Sequence, residues 1–594
     1  MVAEFDFLIK NVTVVDGSGN SPYKGSIGVL GNMITAIGEI KGDAVEVIDA
    51  SGLTATPGFI DAHSHADWTL LWYPKCESFV MQGITTFVGG QCGGSPAPLG
   101  EIVRVPGLLA DYLDKFDPYK YYPKSLYRLE QVNEWMDEKF GWTLDWKSMD
   151  GFFKRVEETQ ISSNYAPLVG HGNIRFLVMG MDYKRHATHQ EVDQMIEHVH
   201  QAMKEGCIGM STGMDYDPDV FASQEEIIQC VSVLKEYDGV YSPHWRRTGR
   251  RRDVKIGSRI PERISGIKES IEVCKKSGVP LHFAHFHDGY EINPKPYPPS
   301  LERANAEATL EVIDEARAEG LDVTYDYIPV GSTHLRTLPY LCSLLAPWIR
   351  ETGSPERLAE FLKIEDYRKD VKDELFAGKW YIRLSYNPNA NPHWAENIIV
   401  LKHKSQNYEN KSISEIATMR KREQLDTFFD LISEDPYTKA SVVYHHIINL
   451  SREKEKVFLK YPYASVSLDS SAYDDKYQKE SPPYSLPKHG TYDGFISVLV
   501  RYVLEQKLFS IEEAIKKMST NAAEAYNLKE RGRLKTGYYA DIVLLDMPNL
   551  KILSDKLEPR RYPKGIEYVF VNGTKVVEKG KHTNARPAKV LRRG

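Results

Sequence analysis

The sequence predicts an α/β protein in which a (β/α) barrel is joined to a small β domain built from both chain ends. Through the middle of the chain, strand-like and helical segments alternate about eight times, as in a parallel sheet closed into a barrel. Both ends contain short β-branched segments between Gly and Asp turns, and Asn572-Gly573 is a typical hairpin turn. The 594 residues exceed one ordinary core, so more than one domain is expected.

The predicted domain boundaries follow this change of pattern. Residues 1–56 and 531–594 are predicted to form the β domain, and residues 57–530 the barrel that carries the active site. Two stretches, near residues 101–150 and 335–440, break the alternation and are interpreted as insertions over the barrel. The first is rich in Tyr, Lys, Asp and Trp, and the second is long and charged.

Composition limits the function classes. Apolar residues make up 42%, charged residues 26% and the net charge is −7, which argues against a broad nucleic-acid-binding surface. No stretch approaches the ~18 apolar residues of a membrane span, and the N-terminus lacks an apolar signal-peptide region. Six scattered cysteines without a CxxC pair favour a reducing cytoplasm. A homo-oligomer is compatible with these features, and the last residues, KHTNARPAKVLRRG, are interpreted as a solvated basic tail.

A histidine pair gives the strongest local signal. In PGFIDAHSHAD, strand alternation places Asp61, His63 and His65 on one face. Two imidazoles at the end of a strand can bind one cation, and neutral histidine suits Zn²⁺. The alternative is two ordinary polar histidines at a strand edge.

Cys92 is the second candidate ligand. It lies among glycines in GGQCGGSPAP, directly after the strand-like segment TTFV. A thiolate is a strong zinc ligand, and coordination deprotonates it. The alternative is a small buried apolar residue, which is the usual role of a free cysteine.

Two further segments supply histidines. His244 ends the strand-like segment GVYSPH, and LHFAHFHD contains three histidines. Alternation in the second segment predicts that His285 and His287 face the site together, whereas His282 faces the opposite side and packs against helices. Without further context, a lone histidine is more often a satisfied polar residue than a metal ligand.

Asp469, in SVSLDSS, is the candidate general base. A carboxylate at the end of a strand can take a proton from a metal-bound water and pass it to a leaving nitrogen. The alternative is a turn or helix-capping aspartate. All these candidates fall at the carboxyl ends of predicted strands, where active sites of parallel barrels lie, and together they indicate a hydrolytic metal site.

These motifs resemble those of a known family. PGFIDAHSHAD, flanked by β-rich ends, resembles the amidohydrolase superfamily of metal-dependent hydrolases. GITTFVGGQCGGSPAP, GCIGMSTGMDYDPDVFAS and GVPLHFAHFH further resemble segments of N-acyl-D-amino-acid deacylases, in order. The resemblance implies an imperfect (β/α)8 TIM-like barrel with a β-sandwich, and hydrolysis of a C–N amide bond in a small-molecule substrate.

The resemblance also implies residue roles. Cys92, His244 and His285 match the ligands of one tight zinc site that needs no carbamylated lysine. His63 and His65 match a pair that can hold a second, weaker metal. Asp469 matches the catalytic aspartate. His171, in GHG, matches a family position whose role stays open between substrate contact and loop structure.

The substrate side departs from the family pattern. His287 stands where the family usually carries a lysine suited to a substrate carboxylate, and histidine is a weaker, pH-dependent counter-charge. The substrate loop reads TYDYIPVGST, in which Ser332 matches the family and Tyr327 is a looser candidate. We therefore expect the metal chemistry on a substrate altered from simple N-acyl-D-amino acids, larger or more aromatic.

Two other functions stay open on the sequence. A barrel metal can stabilise an enolate as well as a tetrahedral oxyanion, so a lyase or retro-aldol enzyme that cleaves a C–C bond is an alternative. A non-catalytic scaffold is the other, although it would be expected to lose ligands, which are all present here.

Overall fold

The structure, a computed structural model, describes residues 4–104, 126–215, 217–246, 263–290, 298–330, 335–343, 345–376, 394–442, 453–478, 486–488, 490–555 and 557–593.

Both chain ends build one nine-stranded sheet. Its strands are β1 (Phe5–Val14), β2 (Tyr23–Leu30), β3 (Met33–Gly38), β4 (Ala44–Asp49), β5 (Thr54–Pro57), β20 (Ile542–Leu545), β21 (Ile566–Val571), β22 (Thr574–Glu578) and β23 (Lys581–His582). They run in the order β23-β22-β21-β20-β5-β1-β2-β3, with β4 beside β1. The antiparallel pair of β20 with β5 joins the two ends of the chain. The prediction of one β unit from both ends is confirmed.

Eight parallel strands form the barrel. In sheet order they are β6 (Phe59–Asp61), β7 (Ile84–Gly89), β10 (Asn164–Gly170), β11 (Gly209–Gly213), β12 (Val240–His244), β13 (Leu281–Phe283), β14 (Val323–Tyr327) and β19 (Ala464–Val466). The amide of Ala62 donates to the carbonyl of Val466 at 3.3 Å, and Ser64 bridges Ser470, so the last strand meets the first. Strand residues are buried on both faces, as expected of parallel strands under helices. The predicted barrel is confirmed.

Helices surround this barrel. They are α1 (Glu77–Val80), α2 (Leu129–Phe140), α3 (Met149–Thr159), α4 (His171–Met179), α5 (His189–Lys204), α6 (Gln224–Ser232), α7 (Arg263–Ser277), α8 (Pro299–Ala318), α14 (Glu453–Lys460), α15 (Gly490–Ser497), α16 (Ile511–Ile515) and α17 (Asn521–Ala525). In α5, Thr188 and Glu191 form a capping box, and Val192, Met195 and Val199 face the core at helical spacing. Within the described ranges, no helix is both long and apolar enough to cross a bilayer.

Part of the first predicted insertion is a pair of short strands, β8 (Ile102–Arg104) and β9 (Leu126–Arg128). The second predicted insertion holds an antiparallel sheet of β15 (Arg336–Thr337), β16 (Ile398–Lys402), β17 (Lys411–Ser412) and β18 (Lys439–Val442). Its helices are α9 (Ala346–Thr352), α10 (Pro355–Phe361), α11 (Glu365–Phe376), α12 (Ile413–Arg420) and α13 (Gln424–Glu434). Leu358, Trp394 and Phe428 belong to a hydrophobic core of its own. This part of the chain is therefore a packed α/β unit rather than a loop.

The C-terminal residues are packed and not solvated, contrary to the interpretation from composition. Ala588 and Val590 are buried, and they bridge to Ile161 and Tyr165 next to the start of β10. Arg592 pairs with Asp150 at 2.6 Å. The interpretation as a solvated tail was wrong because it rested on the charged residues of the segment. In an extended segment the alternate apolar residues decide which face is buried.

We predict that Val590→Asp lowers the thermal unfolding temperature, because it buries a carboxylate in an apolar contact at a cost of roughly 2 kcal/mol or more. Lys589→Asp is the matched control, since Lys589 is the exposed neighbour. Differential scanning calorimetry of both variants checks this. Equal unfolding temperatures for the two variants would contradict the packing of the C-terminal segment and favour a solvated tail.

Candidate metal centre

Six predicted side chains converge at the carboxyl ends of the barrel strands. His63 and His65 follow β6, Cys92 follows β7, His244 ends β12, His285 follows β13 and Asp469 follows β19. Parallel strands present their carboxyl ends at one mouth of a barrel, so residues far apart in sequence meet there.

Cys92 lies at the centre of the first donor group. Its Sγ is 3.5 Å from Nε2 of His63, 3.5 Å from Nδ1 of His244 and 3.4 Å from Nε2 of His285. Nδ1 of His244 and Nε2 of His285 are 2.9 Å apart. Bonds of about 2.0–2.3 Å in tetrahedral geometry separate sulfur and nitrogen ligands by roughly 3.5 Å. The thiol and imidazole donors therefore fit one borderline-soft cation such as zinc.

His63 is shared with a second donor group. Oδ1 of Asp469 lies 3.5 Å from Nε2 of His63 and 3.2 Å from Nε2 of His65. Donor atoms of these three residues all lie within 4.8 Å of one another. The side chains of His65 and Asp469 are each 31% exposed, whereas Cys92 and His63 are buried. The second group is thus the more open one, towards the barrel mouth.

The imidazoles change the acidity of the central thiol. Burial alone would raise the pKa of Cys92, but the charges of His63, His244 and His285 hold that pKa well below its ordinary value. Burial raises the pKa of Cys76 to about 12 and that of Cys207 well above its ordinary value. Unlike those of Cys76 and Cys207, the surroundings of Cys92 therefore favour the thiolate, which is the form that binds metal.

A lysine missed by the sequence reasoning supports Asp469. Nζ of Lys488 donates to the backbone carbonyl of Asp469 and lies 3.9 Å from its Oδ2. Burial would raise the pKa of Asp469, but Lys488 and the hydrogen bond from His65 hold it well below its ordinary value. These contacts favour the ionised form of Asp469, which is the form that can act as a base.

Three of the six residues adopt left-handed backbone conformations that non-glycine residues rarely use. The φ angles are 55° at Cys92, 35° at His285 and 50° at Asp469. Asp326 accepts the His285 amide at 2.9 Å, and the carbonyl of His63 accepts the Asp469 amide at 2.9 Å. Strain held by specific hydrogen bonds is typical of functional sites.

Known proteins match this chain over its whole length. The amidohydrolase family model matches residues 46–219 and 485–577. N-acyl-D-aspartate deacylase from Alcaligenes xylosoxydans xylosoxydans is 28% identical, covering 100% of this chain and 96% of the relative. D-aminoacylase from the same organism is 26% identical, covering 99% and 98%. A crystal structure of D-aminoacylase is 25% identical with a TM-score of 0.68, covering 99% of this chain and 100% of that one. The chain is thus similar, along its whole length, to deacylases and, over part of it, to the amidohydrolase family model.

The predicted resemblance to D-aminoacylases is thereby confirmed, and the chain is an amidohydrolase enzyme. Solved relatives contain metal. One D-aminoacylase structure has a binuclear metal centre, and N-acyl-D-glutamate deacylase from Bordetella bronchiseptica, 24% identical with a TM-score of 0.66, holds zinc and a phosphonate inhibitor.

The histidines of the LHFAHFHD segment do not follow the strand alternation that the sequence predicted. The strand ends at Phe283, and the left-handed φ of His285 turns its ring to the interior side. His282 also faces the interior, with Nε2 3.4 Å from Oδ2 of Asp326 and its ring against Tyr526. The expectation that His282 packs against the outer helices is wrong, because alternation holds only while the strand continues.

The predicted substrate-binding residues differ in where they lie relative to the metal-donor residues. His287 is half-buried beside Trp245, with ring centroids 5.4 Å apart. Tyr327 follows Asp326 on β14, so it faces outwards and stacks on Phe458. Ser332 lies outside the described residues.

His171 is enclosed by acids rather than directed at the donors. Its Nδ1 is 3.0 Å from Asp219 and its Nε2 3.4 Å from Glu226. Burial would lower its pKa, but these carboxylates raise it well above the ordinary value. Asp219 also accepts the Gly213 amide at 2.6 Å. This arrangement favours the loop-structure interpretation of His171.

The sequence analysis did not identify two buried aspartates of the site. Asp326 accepts hydrogen bonds from the His285 amide and from Ser467, and Asp215 lies against His244. An acidic residue inside an apolar strand, as in VTYDY, was the available sign for Asp326.

We predict that iodoacetamide alkylates Cys92 of the metal-stripped protein at neutral pH faster than Cys76 or Cys207, because the thiolate is the nucleophile. Mass spectrometry of digested peptides over time measures each rate, and Cys92→Ser identifies the peptide. Alkylation of Cys92 no faster than that of Cys76 and Cys207 would contradict this prediction.

Proposed function

We propose that this amidohydrolase is a zinc-dependent enzyme that cleaves the amide bond of an N-acyl-D-amino-acid-like small molecule. The observation that carries the proposal is the convergence of one thiol, four imidazoles and one aspartate at the barrel mouth. Full-length relatives that deacylate N-acyl-D-amino acids support the reaction class.

In this proposal Cys92, His244 and His285 hold the tight zinc, and His63 with His65 can hold a second, weaker ion. Bound zinc would polarise the scissile carbonyl and lower the pKa of water. The donors are rigid because each follows a barrel strand, and Cys92 and His63 exclude bulk water by their burial.

Asp469 is the proposed general base. Its carboxylate is ionised, partly exposed and fixed through its backbone amide and carbonyl by His63 and Lys488. It takes the proton of the attacking water and delivers it to the amine nitrogen as the C–N bond breaks. Lys488 and His65 keep the proton from staying on Asp469.

The substrate side is where we propose a change from simple N-acyl-D-amino acids. His287 is the proposed counter-charge for a substrate carboxylate, and Ser332 a proposed contact. Tyr327 and His171 point away from the donors, so the proposal places no substrate contact on them. No disulfide joins Cys76, Cys92, Cys207, Cys230 or Cys274, which is compatible with the proposed cytoplasmic location.

A panel of N-acyl-D-amino acids, their L-enantiomers and aromatic amides tests the proposal, with products identified by mass spectrometry. We expect release of a free amine product with uptake of water, abolished by a chelator and restored by zinc. His287→Lys is expected to raise kcat/KM for simple N-acyl-D-amino acids. Products without added water would favour the lyase alternative, and an unimproved variant would remove His287 as the specificity residue.

Asp469→Asn should lower kcat by roughly 10²–10⁴-fold, because the amide cannot accept the proton. Zinc content, measured by mass spectrometry of the intact holoenzyme, should stay near one tight equivalent. Asp475→Asn is the control, because Asp475 is an exposed carboxylate further along the same segment. A variant with near wild-type kcat would show that the proton goes elsewhere.

A further inference from the structure

A second carboxylate, that of Asp215, contacts the His244 ring on the side that faces away from the other donors. Oδ2 of Asp215 lies 3.4 Å from Nε2 of His244, and both side chains are almost fully buried. The opposite ring nitrogen, Nδ1, is the one that faces Sγ of Cys92 and Nε2 of His285. Asp215 therefore touches His244 on the side away from the donors.

This contact selects one form of the His244 ring. A neutral imidazole carries one proton, on either nitrogen. A hydrogen bond to a carboxylate places that proton on Nε2, which leaves the lone pair of Nδ1 directed at the donor group. Carboxylates that accept the far proton of a ligating histidine orient the ring and raise its basicity.

Backbone contacts hold Asp215 in place. Gly213 on β11 lies opposite His244 on β12, and the amide of Met214 donates to the carbonyl of His244 at 2.9 Å. Nη1 of Arg246 donates to the carbonyl of Met214 at 3.2 Å. The turn that carries Asp215 is thus fixed to the same strand end as the ring it contacts.

The other histidine donors are supported differently. Asp326 accepts the backbone amide of His285, and its Oδ2 is 3.9 Å from Nδ1 of His63, too far for a hydrogen bond. Asp215, in contrast, contacts the imidazole ring of His244 rather than a backbone amide.

We propose that Asp215 is a positioning residue for the metal: it holds the His244 ring so that Nδ1 is presented to the cation bound by Cys92 and His285. This inference rests on the proposed metal site and adds a residue that neither the motifs nor the resemblance indicated.

Zinc affinity of the full-length protein tests the proposal. After chelator treatment, the zinc dissociation constant is measured by competition with a chromophoric chelator for wild type, Asp215→Asn, His244→Ala and the double variant. Asp215→Asn is expected to weaken binding by roughly 10–100-fold. In the His244→Ala background the same change should have little further effect, since it acts through that ring. An equal loss in both backgrounds, or no loss in either, would overturn the proposal.

Cobalt supplies a local signature. In the Co²⁺-substituted Asp215→Asn protein, the thiolate-to-cobalt charge-transfer band should persist while the d–d bands change, because Cys92 stays bound and the His244 ring moves. Unchanged d–d bands would contradict the proposal. Asp215→Glu keeps the carboxylate and should bind zinc more tightly than Asp215→Asn, and equal affinities would count against it.

Two controls separate the possible failures. Asp219→Asn removes a similarly buried carboxylate from the same turn region, where it pairs with His171 instead of a donor, and should weaken zinc binding less than Asp215→Asn. If the wild-type protein binds no zinc, the proposed function itself is wrong. If the wild type binds zinc tightly and Asp215→Asn does not change the affinity, only the positioning role of Asp215 is wrong.

Discussion

The site depends on the burial of one thiol against three imidazoles inside a closed barrel. Burial penalises every charge in this group, so the thiolate of Cys92 needs positive charge within contact distance. The imidazoles of His63, His244 and His285 lie at that distance from its sulfur. Metal ligands bind in their deprotonated forms, so metal binding at this group would be coupled to proton release. Only a parallel barrel brings these strand ends together, which ties the chemistry to the fold.

The backbone around these donors is strained, and the neighbouring strands compensate for it. His285 and Asp469 keep left-handed conformations because their amides are accepted by Asp326 and by the carbonyl of His63. Asp326 also binds Ser467, so one buried carboxylate links the ends of β13, β14 and β19. Such a network is stable only when its members are satisfied together, which makes the arrangement cooperative.

Much of this could be predicted from the sequence. The barrel follows from alternating elements, and PGFIDAHSHAD and the glycines around Cys92 mark strand ends that carry candidate metal ligands. What escaped prediction depends on long-range contact. Asp215 and Lys488 have no local pattern, because their partners lie elsewhere in the chain, and the only local sign of Asp326 was its place inside an apolar strand. His282 was misplaced because a single positive φ at His285 ends the alternation. The packed C-terminal segment was missed because composition weighed its charges above its alternate apolar residues.

The structure also explains how catalytic groups and substrate contacts can change independently. The donors follow strands and are fixed by hydrogen bonds to other strands. His287 lies beyond the end of β13, where alternation no longer constrains it, and Ser332 precedes the α/β unit that begins at β15. That unit has its own core, so its stability does not depend on the donor group. Under the proposed function, a change of substrate can therefore accumulate in these segments at little cost to the metal site.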